Sequence, residues 1–490
     1  MPTGLRRKQP IDSSGPPGIL PPAVSAQPAV VRELPVPGSV LRALAARFPE
    51  RYPVLMDSAA EGPLSRFSIL AAEPSAALWL DAEGRVHADG VALPTDVGFF
   101  NALEQWWLRE RTPWAPGAPP PFAGGWVIFL SYEMAREIEP CLVLPRSSLP
   151  YQAFALRTPC AVIHDLHGNR VFAIAEGGFE ARLDRIAAEA AALADSAEAA
   201  ANAPATRVRA AKLEEEDPQI HLDRVVRAKE YIRAGDIYQA NIARPWHVTL
   251  AEDVSAPQLY ATLRAANPAP FAALAQWGGA SIVSSSPERL ARIFGDRRID
   301  TRPIAGTRPR SRKPGGDMAE MTELAAHPKE RAEHVMLIDL ERNDLGRVCE
   351  AGTVRVDEFM TIESYAHVHH IVSNVSGRLR EDVTPIGAIR AVFPGGTITG
   401  CPKVRCMEII AELESSGRGA YTGSLGFLGR DGRMDTNILI RTMTLTGRHV
   451  ELRAGGGIVA DSIPERELDE TRAKARGMLS AFEVVEAPGR

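Results

Sequence analysis

An α+β architecture, with large, mainly antiparallel sheets and helices packed outside them, is what this sequence predicts, and three observations carry it. Short apolar runs broken by turn residues fill 34–175. In the second half, strand-like runs and helical ones follow each other irregularly, as hairpins and meanders rather than strand-helix repeats. Two charged segments with helical spacing, 329–346 and 464–482, lie far apart in the chain. At 490 residues and 45% hydrophobic, the chain has enough material for a large core in two domains or one elaborate one. A net charge of -5 leaves no basic footprint, which argues against nucleic acid as a partner.

In chain order, residues 1–33 read as a disordered leader. Arg6, Arg7 and Lys8 have no apolar run behind them, and Pro10, Pro16, Pro17, Pro21 and Pro22 follow, so neither a signal nor a membrane span is expected. Residues 34–205 are expected to form a β-rich domain built on VLMDS (Val54 to Ser58), FSILAAEP (Phe67 to Pro74), GGWVIFLSYE (Gly124 to Glu133) and RVFAIAE (Arg170 to Glu176). An alanine-rich helix and a loose Ala-Pro linker over 179–205 close it. The second domain, 206–490, opens with Asp217 capping a helix that has Pro218 in its first turn and stops at Gly235. The strand GDIYQANIARPWHVTL follows directly. Later strands are SIVSSS, RLARIF, GTVRVDEF, HHIVSNVSGRL, GSLGFLG, MDTNILIRTMTL and HVELRAGGGIV, with helices near 256–266, 319–341, 384–392, 402–414 and 464–482. The five cysteines, 141, 160, 349, 401 and 406, show no metal-knuckle or CxxC spacing, which suits a reducing cytoplasm.

The chemistry begins in KERAEHVMLIDLERNDLG, Lys329 to Gly346. Helical spacing puts Glu330 and Glu333 on one stripe that continues into Leu337 and Leu340. Carboxylates aimed at apolar surroundings take up protons or find a cation; the alternative is a first turn still in water, favoured by the helix amino end. Glu467 and Glu470 repeat the spacing in a second helix, with Ser462 as its cap, Pro464 in its first turn, and Lys474 on the same stripe. Two such helices offer four carboxylates to one site, an oxygen-only set that suits magnesium better than zinc.

Other residues stand out singly. FPGGTITGCPK (Phe393 to Lys403) lacks the order of a nucleotide loop; its amides either hold an anion or form a tight turn. Gly455, Gly456 and Gly457 permit close approach at a strand end. Arg441, inside the apolar run NILIRTMT, needs a carboxylate partner, and the pattern favours one from the protein over a substrate acid. Alternation sends His367 and His369 to one face and His370 to the other, compatible with a metal site, an inward catalytic histidine, or a satisfied core histidine. Glu288, after a strand and a proline, is either a catalytic carboxyl or a plain turn acid.

Six motifs, PIAGTRPR, KERAEHVMLIDLERNDLGRV, HHIVSNVSG, FPGGTITGCPKVRCMEIIAELE, RMDTNILIRT and GGGIVADSIPERELDETRAKARG, together resemble the chorismate-utilising enzymes. That family includes anthranilate synthase component I, aminodeoxychorismate synthase component I, isochorismate synthase and salicylate synthase. The likeness is strong over 217–485, weaker back to 34, and implies an anthranilate-synthase-component-I-like fold. It implies magnesium held directly by Glu333 and Glu470, with Glu330 and Glu467 acting through water. It implies that Glu288 is the general acid on the leaving hydroxyl of chorismate, and that His370, Thr307, Tyr421, Arg441, Gly456, Gly457 and Lys474 contact substrate. Gln239 stands where isochorismate and salicylate synthases carry a water-activating lysine, which points to ammonia as nucleophile, supplied by a separate glutamine amidotransferase subunit. GDIYQANIARPW, FPGGTITG and GGWVIFLSYE resemble aminodeoxychorismate synthase, the expected activity. Ala305 departs from the lysine many of those enzymes carry and matches anthranilate synthase. LMDS is similar to an element lining a tryptophan pocket, making Ser58 a candidate there, with a plain edge strand as the alternative. A non-catalytic chorismate-binding subunit is the rival from another class; intact Glu288 and the four glutamates argue against it.

Overall fold

The structure is a computed structural model that describes residues 20, 23, 27–60, 62, 64–114, 120–310, 316–364 and 368–485, with the side chains of 307–309, 316, 319, 325, 328, 329 and 368 outside that description. Most of the expected leader falls outside it too; a strand, Val30–Leu34, begins within the leader's last four residues and pairs with Arg170–Ala175.

Two sheets organise the fold. The first runs edge to edge through Val30–Leu34, Arg170–Ala175, Cys160–Asp165, Phe67–Ala72, Val54–Asp57, Phe271–Trp277, Ala280–Ser286, Thr442–Thr446, His449–Ile458, Gln239–Leu250, Val208–Glu215 and Phe482–Val484, with Gly400–Cys401 also on the Gln239 strand. The second runs through Ile304–Pro309, Val368–Arg378, Arg298–Thr301, Arg289–Ile293, Met434–Asn437, Ser424–Gly429, Gly125–Leu130, Tyr151–Thr158, Ala76–Asp81 and Val86–Asp89, with Arg355–Ser364 flanking the Val368 strand. Among the described residues, all pairings of named strands are antiparallel except Val208–Glu215 with Phe482–Val484. This is the α+β fold that the turn-punctuated runs predict.

Both sheets interleave the two halves of the chain. Leu55 pairs with Leu274 in the first, and Ile128 with Gly426 in the second. The sheets face each other across one shared core: Trp277 of the first lies 5.1 Å from Phe154 and 5.2 Å from Tyr151 of the second, ring centre to ring centre. Helices cover the outer faces. Leu41, Ile186, Leu263 and Met478 pack on the first sheet; Trp106, Ile338 and Ile389 pack on the second. Among the described residues no helix is long and apolar enough to cross a membrane.

Two expectations about elements are corrected. The helix expected over 319–341 is two, Gly316–Ala326 and Pro328–Gly346, because His327 is extended before Pro328, where the proline ring disfavours helical backbone. The run MDTNILIRTMTL is two strands, Met434–Asn437 and Thr442–Thr446, since Arg441 sits at φ 51, a left-handed conformation no strand accommodates.

Candidate active site

Glu288 follows the strand Ala280–Ser286 and a proline, and enters Arg289–Ile293. Only 4% of it is exposed. Its Oε1 accepts a 2.8 Å hydrogen bond from Thr397 Oγ1, and its carbonyl accepts one from the Ile438 amide at 3.0 Å. Burial pushes the carboxyl up from 4.5 to about 7, against the opposing pull of the Thr397 hydroxyl, the Ile304 amide and the charges of Arg441 and Lys474. Near neutral pH it holds a proton it can give away.

Arg441 is beside it. Left-handed backbone turns the chain between the strands of Asn437 and Thr442, and the Arg441 carbonyl accepts from the Ser285 amide at 3.1 Å. The expected protein carboxylate is not there: among the described residues the guanidinium makes no hydrogen bond or ion pair. Burial lowers its pKa, opposed by Glu288. A half-buried guanidinium without a protein anion is a receptor for a ligand's acid.

His370 lies on Val368–Arg378, opposite Thr307 in register. Its Nδ1 faces the Gly306 carbonyl at 3.4 Å, which places the hydrogen there and leaves Nε2 the lone pair. Burial first, then the charge of Arg441, pushes it down to about 3, so it stays neutral. His369 is committed elsewhere, to Ser364 Oγ at 2.7 Å and Asp317 at 3.2 Å. His367 lies outside the described residues, as does the Thr307 side chain. Burial pushes the Tyr421 phenol up to about 12, so it too is neutral.

The two carboxylate helices converge on one strand end. Pro328–Gly346 is capped by His327, whose Nδ1 accepts from the Glu330 amide at 3.4 Å. Pro464–Leu479 is capped at Ile463, and not by Ser462, whose Oγ instead accepts from the Val459 amide at 3.1 Å. A Cβ placed on Gly456 would stand 3.3 Å from Glu467 Oε2 and 3.5 Å from Glu470 Oε1; one on Gly457 would stand 3.3 Å from Glu333 Oε1. Glu330 Oε2 would come 2.3 Å from a Cβ on Gly306. Glycine at these strand positions is what lets the acids approach. Gln239 Nε2 donates to Glu333 Oε1 at 3.2 Å, and its buried Oε1 has no hydrogen-bond partner among the described residues. Lys474 Nζ pairs with Glu470 at 2.7 Å and donates to the Gly455 carbonyl at 2.9 Å. Among the described residues, no three His, Cys, Asp or Glu side chains are gathered tightly enough to hold a metal on their own.

Ser58 is set apart from this site. Its Oγ donates to the Phe67 carbonyl at 2.9 Å, and it lines a cavity of about 760 Å³ with Met56, Phe271, Arg292, Phe427 and Met434. The neighbouring Asp57 is consumed by Tyr260 and Arg264, each at 2.8 Å. Three residues near the site had no sequence signal of their own: Thr397, within a glycine-rich run read for its amides; Glu341, an acid whose pKa is raised by burial and then by the neighbouring Asp344 charge; and Arg418, in a loop.

Residues 54–480 match the family model described as chorismate binding enzyme. The chain is 43% identical to anthranilate synthase component 1 of Streptomyces coelicolor, over 80% of this chain and 79% of that one. It is 49% identical to aminodeoxychorismate synthase component 1 of Bacillus subtilis, over 54% of this chain and 55% of that one. The crystal structure of anthranilate synthase component I from Streptococcus pneumoniae superposes with a TM-score of 0.72 at 29% identity, covering 85% of this chain and 93% of that one.

Proposed function

Since the chain belongs to the chorismate binding enzyme family, we propose that it aminates chorismate at ring carbon 4 to give 4-amino-4-deoxychorismate, with ammonia from a glutamine amidotransferase subunit. One observation carries the reading: a buried carboxyl, poised near neutral pH, beside a half-buried arginine that has no protein anion among the described residues. Arg441 binds an acid group of the substrate, and Glu288, oriented by Thr397, protonates the departing hydroxyl, which leaves as water. His370 and Tyr421 stay neutral, so they can hydrogen-bond the substrate without adding charge. Gln239 cannot remove a proton from water, which favours a nucleophile that needs no base.

The donor set suits magnesium: four carboxylates, no thiolate or imidazole, and glycines where a Cβ would intrude on the acids. Glu333 and Glu470 would hold the ion directly and Glu330 and Glu467 through water. Bound, it would supply positive charge beside the ring carboxylate of the substrate.

Support for carbon 4 comes from the QAN and FPGGTITG runs and from the Bacillus subtilis relative's name. A second reading, conversion to anthranilate, is favoured by Ala305, which is buried and offers only a methyl group, and by the Streptomyces relative's name. Purified protein given chorismate, magnesium and ammonium distinguishes them. A product that a lyase converts to 4-aminobenzoate supports carbon 4; fluorescent anthranilate with pyruvate moves the assignment to the second reading, and binding without turnover refutes both.

A further inference from the structure

Behind the site lies a buried ion pair that the chemistry above does not use. Glu414 and Arg418, 2% and 3% exposed, meet in a bidentate pair, Arg418 Nε to Glu414 Oε2 at 2.9 Å and Nη2 to Oε1 at 2.6 Å. Burying two charges is costly, and an apolar pair of similar volume commonly does as well for stability. This pair is tied to much else. Arg418 Nη2 also donates to the Asn241 carbonyl at 2.7 Å, and Nη1 to the Ile398 carbonyl at 3.1 Å. Glu414 Oε1 accepts from the Ala243 amide at 2.9 Å. The guanidinium lies over the rings of Tyr132, at 4.8 Å, and Tyr421, at 5.7 Å. The Arg418 amide itself is held by Glu133 Oε1 at 2.7 Å.

One planar cation thus touches three walls of the site. Asn241 is two residues along the strand from Gln239, and Tyr421 is a substrate-contact candidate. Ile398 directly follows Thr397, the donor to Glu288. We propose that Arg418 is a positioning residue: by pinning the Gly396–Ile398 turn to the Gln239 strand and to the Tyr421 ring, it holds the Thr397 hydroxyl on Glu288 in the orientation that proton transfer needs. The inference rests on the chorismate reading, since turnover is what reports on Glu288.

The charged groups facing Glu288 are Arg441 and Lys474, which favour its ionised form, and Glu341, whose charge interacts with it. None is bound by Arg418, so Arg418 reaches the acid only through Thr397. Thr397 favours the ionised form; loosening it raises the pH at which Glu288 loses its proton.

The test is the pH dependence of kcat for Arg418→Lys, Thr397→Val and the double variant, with folding checked by circular dichroism. Lysine keeps the charge and gives up the planar fork. The expectation is that R418K loses roughly tenfold in kcat, and that its alkaline limb moves up by roughly half a pH unit. T397V should show the same displacement, with no further displacement in the double variant. A merely structural brace would lower amplitude and melting temperature without moving the limb. A folded R418K with the wild-type limb overturns the proposal, as does additive displacement in the double variant. T397V with the wild-type limb overturns it whether or not R418K folds. A wild type that does not turn over chorismate sinks the underlying reading and this one with it; an active wild type with unmoved limbs in the variants sinks this one alone.

Discussion

Replacing Glu288 by glutamine should cost activity and return stability, with both changes set by the same burial. The carboxyl ordinarily titrates at 4.5 and is pushed up to about 7 in the folded chain. Folding therefore favours the protonated form: its contribution to stability is complete below about pH 4.5 and is lost as pH rises through about 7. At about 1.36 kcal/mol for each of roughly 2.5 pH units, burying the ionised carboxylate costs the wild type about 3 kcal/mol at pH 8.5. Glutamine does not titrate. Relative to wild type, E288Q should become more stable by about that amount between pH 4.5 and pH 8.5, read from urea denaturation at the two values. Loss of the proton donor should lower kcat by roughly 10² to 10⁴. In the wild type, kcat should fall as pH rises through about 7, because the active form is the protonated one. Parallel stability profiles for the two proteins, or a variant within tenfold of wild-type kcat, would refute the assignment of a buried, functional acid.

Three further outcomes follow from the same geometry. Arg441→Gln should raise the KM for chorismate roughly 10- to 100-fold, the worth of one charge-assisted contact, without lowering the melting temperature, because a desolvated charge is removed and no protein hydrogen bond or ion pair is lost. Gly457→Ala should lower kcat more than Gly456→Ala, since the new Cβ would fall 2.0 Å from Gln239 Nε2, whereas at Gly456 its nearest contact is a carboxylate 3.3 Å away; neither glycine has a positive φ, so both variants should fold. Glu333→Gln and Glu470→Gln should each abolish magnesium-dependent turnover in a folded protein, and activity unchanged in both would remove the metal assignment.

The regular elements were legible because periodicity is local. The helix expected near 256–266 is Ala256–Ala266, and the stripe Leu468, Thr471, Ala475 and Met478 is buried as its spacing implies. The paired glutamates were legible for the same reason: three-residue spacing fixes a helix face whatever the rest of the chain does. What the pattern could not reveal was set by single dihedrals and distant contacts. Alternation through NILIRTMT hides the positive φ at Arg441, and with it the fact that the residue turns out of the strand. Ser462 has the spacing of a cap but spends its hydroxyl on Val459. Thr397 acts on Glu288 from 109 residues away, and Arg418 on Asn241 from 177. The cavity beside Ser58 is assembled from strands of both halves, so no one run announces it.

The interleaving of the sheets has a consequence for how the protein is made. The strand Val54–Asp57 leaves the ribosome long before its neighbour Phe271–Trp277, by roughly 10 to 40 s at ordinary rates of synthesis. Gly125–Leu130 waits still longer for Ser424–Gly429. Throughout that interval the nascent chain carries unpaired backbone along two apolar edges, a template for association with other chains. Yield in a cell should therefore depend on chaperones that shield those edges until the last third of the polypeptide emerges.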